Sequence, residues 1–163
     1  MLNELGERRR WFDAQWPELE EKSSPWRFLT RLLPLDVRSN RTCPCCGYPT
    51  LKRRDWYEIC SVCRWEDDGH DDADAQEVSS ANSDPEGRQV TLTQARADFS
   101  QYRNSLASDG GDSQGSGDAT AAQLVGLFDR LLATSRAEHR EPVKSPEVRK
   151  LFREVKGLLG RVV

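Results

Sequence analysis

The stretch "CPCCGYPTLKRRDWYEICSVC", residues 43–63, decides how the rest of the chain is read. It places Cys43, Cys45 and Cys46 within four consecutive positions and adds Cys60 and Cys63 thirteen residues later, counting 47–59. Cys43-x2-Cys46 and Cys60-x2-Cys63 have the spacing of the two halves of a tetrahedral thiolate site, in which each pair turns the chain so that both sulfurs reach one ion at about 2.3 Å. Pro44 restricts the backbone after the first ligand, and Gly47 supplies conformational freedom after the second. Adjacent side chains in extended chain point to opposite sides, so Cys45 and Cys46 do not chelate together. The metal ligands assigned from the sequence are therefore Cys43, Cys46, Cys60 and Cys63, and Cys45 is left over.

The competing reading is disulfides or metal-free thiols, and compartment decides between them. The opening "MLNELGERRRWFDAQW" has charges where an export signal needs apolar residues, and no stretch approaches the roughly 20 apolar residues of a membrane span. A cytoplasmic location and no membrane association are expected. Reduced thiols in this pattern there point to zinc, with iron in a rubredoxin-like site as the less favoured occupant.

The chain of 163 residues is 36% hydrophobic and 31% charged, with a mean hydropathy of −0.77. It is too polar for one large core, and a metal centre substitutes for missing core in small modules because its binding energy is also folding energy. The fold class read from the sequence is α+β, a small zinc-ribbon-like β-hairpin centre flanked by α-helices. Four regions are expected. Residues 1–40 form an N-terminal helical segment, with one amphipathic helix over about 2–16 and a second opened by Ser24-Pro25 and ended by Pro34. Residues 41–106 form the cysteine domain, with a hairpin over 48–60 turning near Arg53, Arg54 and Asp55. Its closing helix starts at the capping box Thr91-x-x-Gln94 and bears Leu92, Ala95, Phe99, Tyr102 and Leu106. Residues 107–120 are a Gly/Ser/Asp linker, and 121–163 a helical hairpin whose second helix begins at Ser145-Pro146. That hairpin is too small to hold a core alone and must dock on something.

With Pro44, Gly47, Thr50-Leu51, Arg54, Tyr57-Glu58-Ile59, Val62 and Trp65-Glu66-Asp67-Asp68-Gly69 around the five cysteines, the stretch from Cys43 to about residue 105 resembles the bacterial cysteine-rich CPCC family. The resemblance implies zinc binding. Ser61 stands where the family usually has proline, and Asp55 where glycine is common.

Around the site, Arg41, Lys52, Arg53, Arg54 and Arg64 are candidates to offset the negative charge of four thiolates, with Arg54 and Arg64 favoured for contact with sulfur. The acidic run Glu66, Asp67, Asp68, Asp71, Asp72, Asp74 and Glu77, with His70 inside it, fits no EF-hand loop and reads as a solvated loop. Trp56 and Trp65 read as core beside the metal. Nucleic acid is disfavoured as a partner, since the net charge is −3 and only "ERRRW" and "KRRDW" are basic. A protein partner, or self-association through the amphipathic helices, is the favoured expectation. No catalytic residue is assigned: Cys45 with His70 or His139 would be the candidates, and nothing in their spacing brings them together. Cys45 is expected to be an inert filler of the knuckle, with a redox thiol as the alternative.

Overall fold

The structure, a computed structural model, describes residues 2–23, 39–108, 116–137 and 142–162. Helix α1 (Leu2–Ser23) is followed by β1 (Arg41–Thr42), β2 (Pro49–Leu51), β3 (Val78–Ser83) and β4 (Gln89–Thr91), then by α2 (Leu92–Ser108), α3 (Ser116–Ala137), a 3-10 turn at Pro142–Lys144 and α4 (Pro146–Val162). Among the described residues this is an α+β protein of four α-helices and two antiparallel two-stranded sheets, β1-β2 and β3-β4.

Helix α1 runs a full turn and more past the expected end near Trp16, although Pro17 lies inside it. A proline there removes one backbone donor. The turns beyond it are held by Leu19, which is fully buried, by Lys22 on Glu18 at 2.6 Å, and by Lys156 Nζ of α4 on Glu20 at 2.5 Å. The expected helix after Ser24-Pro25 lies outside the described residues. Helix α2 begins as the sequence indicated. The Thr91 N–H donates to Gln94 Oε1 at 2.8 Å and the Gln94 N–H to Thr91 Oγ1 at 3.1 Å, so the two residues cap each other. At α4, Ser145 Oγ accepts from the Val148 N–H at 3.4 Å. Within the expected linker 107–120, residues 107–108 continue α2 and 116–120 open α3, while 109–115 lie outside the described residues.

The expected hairpin over 48–60 does not form. Pro49–Leu51 pairs with Arg41–Thr42 upstream, and Ile59 pairs with Glu66 downstream. The physical reason is that each Cys-x2-Cys segment is itself the chain reversal. Two small hairpins therefore arise, each closing on its own cysteine pair, in place of one hairpin between the pairs. The segment linking them is a bend with Asp55 at φ 61° and Tyr57 at φ 56°. Asp55 thus sits in the left-handed region that favours glycine and that aspartate tolerates better than most residues.

Among the described residues, one apolar core joins the four helices and the cysteine motif. Tyr48, the residue after Gly47, stacks on Phe128 of α3 with centroids 4.8 Å apart and rings 12° from parallel. Phe12 of α1 meets Tyr48 at 5.9 Å and Phe128 at 5.4 Å edge-on. Trp16 reaches Phe152 of α4 at 4.8 Å, and Phe99 of α2 reaches Tyr48 at 6.2 Å. The Tyr48 hydroxyl donates to Asp129 Oδ1 at 2.6 Å, and burial pushes its proton affinity well above the ordinary phenol range. The two C-terminal helices therefore dock, as their small size required, on α1 and on the aromatic residue of the cysteine motif itself. Among the described residues, the large apolar side chains that stay exposed are Trp56, Tyr57, Ile59 and Val78, none of them on a helix. Trp65 is 2% exposed and Trp56 63%, so the expectation that both tryptophans are core holds for Trp65 only.

Candidate metal centre

The two cysteine pairs adopt one backbone pattern twice. The Cys43 N–H donates to the Tyr48 carbonyl at 2.9 Å and the Gly47 N–H to the Cys43 carbonyl at 2.9 Å. The Cys60 N–H donates to the Trp65 carbonyl at 2.8 Å and the Arg64 N–H to the Cys60 carbonyl at 3.0 Å. In both, the residue four beyond the first cysteine has positive φ, Gly47 at 76° and Arg64 at 65°. Glycine takes that conformation without strain, whereas arginine pays about 1–2 kcal/mol. At Gly47 there is a second constraint: a Cβ there would stand 2.8 Å from Leu5 Cδ1 and 3.1 Å from Arg9 Cγ, so α1 lies directly on the back of the first knuckle.

This pairing brings the Sγ atoms of Cys43, Cys46, Cys60 and Cys63 within 4.8 Å of one another. Cys43 and Cys63 are 3.6 Å apart and so are Cys46 and Cys60. Four sulfurs about 2.3 Å from a tetrahedral ion lie about 3.8 Å from each other, so the arrangement fits an ion of that size and is too open for disulfides. All five cysteines are free thiols. The donor set is sulfur alone, and Cys43, Cys46 and Cys60 are fully buried with Cys63 half-buried.

Burial pushes the Cys43, Cys46 and Cys63 thiols up. At Cys60 burial acts in the same sense, but hydrogen bonds from the Cys43, Cys46 and Cys63 thiols outweigh it and hold its sulfur well below the ordinary thiol range. Further donors converge on that sulfur: the Thr50 hydroxyl lies 2.9 Å away and the Val62 and Cys63 N–H groups 3.4 and 3.5 Å away. Peptide N–H groups and a threonine, not arginines, thus surround the ligand set. Cys45 is 3% exposed and lies outside the four-sulfur group.

The arginines expected at the sulfurs have other work. Arg54 donates from Nε to Asp67 at 2.9 Å, from Nη1 to Asp71 at 3.0 Å and from Nη2 to the His70 carbonyl at 3.3 Å. Arg64 is exposed. The acidic run is correspondingly solvated only in part, with Asp72 and Glu77 exposed. Asp67 is fully buried on Arg54 and the Asp55 N–H. Asp68 accepts from Ser79 at 2.5 Å and pairs with His70 at 2.9 Å. Asp71 receives both Arg9 and Arg54, and Arg96 reaches Asp72 at 2.6 Å. The reason is geometric: α1 and α2 present Arg9 and Arg96 to this loop. Arg8 and Arg96 also clamp the first knuckle, by hydrogen bonds to the Cys46 and Pro44 carbonyls at 2.9 Å each. Sequence reasoning missed Arg8, Arg9 and Arg96. The only local signal was the excess of arginine in "ERRRW" beside an acidic run in need of partners.

Despite its partial burial, Asp71 is held well below the usual carboxylate range by hydrogen bonds from Arg9 and Arg54. A depressed carboxylate contributes stability that is present above about pH 4 and lost as pH falls further. Arg54→Ala leaves Asp67 buried without its cation. We expect a loss of about 2–3 kcal/mol, tempered by the remaining Asp55 N–H and by the partial exposure of Arg54. Urea unfolding at pH 7 checks it, and an unchanged midpoint would show that the ion cluster is incidental.

A compact α+β protein organised round two matched cysteine knuckles and a four-thiol centre is the class that this geometry defines. Residues 41–108 match the family described as Cysteine-rich CPCC. Helix α1, which clamps the first knuckle, and helices α3 and α4 lie outside the matched residues. No curated protein and no solved structure matches the chain. No helix among the described residues is long and apolar enough to cross a membrane.

Proposed function

We propose that the four cysteines hold one zinc ion and that this ion is structural, making the protein a cytoplasmic binding module and not an enzyme. The observation that supports it best is the closed donor set: four sulfurs lie within 4.8 Å of one another, and an ion held by all four would have each tetrahedral position filled by protein, with none left for water or substrate. When bound, zinc supplies a cross-link between the two knuckles and no reaction. The chain's own contribution is to orient the thiolates through the two N–H-donating turns and Thr50. Iron is the less favoured occupant of the same sulfurs. The burial of Cys45 supports its reading as a space-filling thiol and not a redox sensor, which must be accessible.

Phe12, Trp16, Leu19, Phe128, Leu131, Val155 and Leu159 lie inside the core of this chain. Surface left for a partner is richest on the bend between the knuckles, where Trp56 and Tyr57 are exposed. The metal reading is tested by titrating cobalt(II) into reduced, metal-free protein and then adding zinc. One equivalent of cobalt in thiolate coordination, displaced by zinc, is expected. Because the thiols must shed protons to bind, the apparent affinity should weaken as pH falls. A reduced, folded chain that takes up neither ion would overturn the proposal.

A further inference from the structure

The bend between the knuckles borders a cleft of about 710 Å³. Its walls include Arg9 from α1, Arg41 from β1, and Lys52, Arg53, Arg54 and Trp56 from the bend. One carboxylate, Asp13, shares the lining, and its Oδ1 already accepts from the Thr42 hydroxyl at 2.8 Å. The five cations divide into two kinds. Arg9 and Arg54 are neutralised by Asp71. Arg41, Lys52 and Arg53 have no carboxylate within ion-pair distance among the described residues, although acidic side chains outnumber basic ones in the chain as a whole. The Arg53 guanidinium lies 4.7 Å over the Trp56 ring, yet that indole remains 63% exposed and the neighbouring Tyr57 60%.

We propose that this cleft binds a single-stranded nucleic acid, with phosphates on Arg41, Lys52 and Arg53 and a base stacked on Trp56. Unpaired cations along a groove attract a phosphate backbone, and an exposed indole among them offers a face to any unpaired base. A duplex keeps its bases stacked on each other and has none to offer the indole. A protein partner fits less well, since lysine is depleted in protein interfaces and the wall offers one large apolar ring. The inference deepens the zinc reading and rests on it, because the cysteine centre fixes both ends of the bend that carries Lys52, Arg53 and Trp56.

The test uses the full zinc-loaded chain and three probes: a short oligothymidylate, an abasic sugar–phosphate strand of equal length, and an oligoglutamate peptide. Oligothymidylate should bind with a Kd on the order of 10 µM at low salt, and log affinity should fall against log salt with a slope of about −2 for three phosphates on a single strand. Trp56→Ala should weaken oligothymidylate about tenfold and leave the abasic strand unchanged. Lys52→Glu combined with Arg53→Glu should abolish binding of both strands. These side chains are exposed and are not ligands, so zinc content, measured in each sample, should stay at the wild-type value. Equal binding of all three probes, or a Trp56→Ala variant that binds oligothymidylate as the parent does, overturns the proposal. Zinc-replete protein that binds no strand overturns the cleft and leaves the metal centre standing; folded, zinc-free protein that binds does the reverse.

Discussion

Cys60→Ser should leave a chain that retains no zinc and shows no cooperative unfolding transition. The Cys60 sulfur is the point at which the centre converges, accepting from Thr50, Val62 and Cys63 and meeting Cys46 at 3.6 Å. Structural zinc binding in small modules is worth about 10–16 kcal/mol at neutral pH, more than the roughly 5–15 kcal/mol by which a whole domain is usually stable. A serine hydroxyl does not ionise at neutral pH and does not replace a thiolate. The short sheets offer little to compensate, since β1 has two residues and β2 three. Circular dichroism during thermal unfolding, with metal content measured on the same sample, reads the result. A variant with a parental transition and no metal would mean that the aromatic core alone holds the fold.

Phe12→Ala should cost about 3–5 kcal/mol, although it is far from the cysteines in sequence and outside the residues matched to the family. Phe12 is fully buried and packs edge-on against Trp11, Trp16, Tyr48 and Phe128. Truncation opens a cavity between α1, the first knuckle and α3 at once, and none of the surrounding rings can close it by a small rotation. Denaturant unfolding measures the loss. A change below about 1 kcal/mol would mean that α1 is an appendage and not part of the core.

The legible parts of the fold were those encoded locally. Two Cys-x2-Cys pairs, the Thr91/Gln94 box and the Ser145 cap each place their chemistry within a few residues, and each appears where the pattern put it. The hairpin assignment failed for a definite reason. "WYEIC" has strand composition, but Trp56, Tyr57 and Ile59 are exposed, so those residues serve a surface and not a buried sheet face. The β3-β4 hairpin passed unnoticed because its inward positions are Ser79 and Asn82, which leave no apolar alternation to detect. Those two side chains are bound to each other, and Asn82 bridges the Glu66 backbone at 2.8 and 2.9 Å. The charged clamp was illegible in principle: Arg9 and Asp71 meet across 62 positions of sequence, and no local pattern encodes that contact. The aromatic core had the same character, since Tyr48 looked like part of a strand and proved to be the residue on which three helices converge.

Elemental analysis of protein purified under reducing conditions reads the metal content of the four-cysteine centre. About one zinc per chain is expected, lost in each single serine variant of Cys43, Cys46, Cys60 and Cys63 and retained in Cys45→Ser. Folded, reduced protein without bound metal, or zinc that survives the Cys43 and Cys60 substitutions, would contradict it.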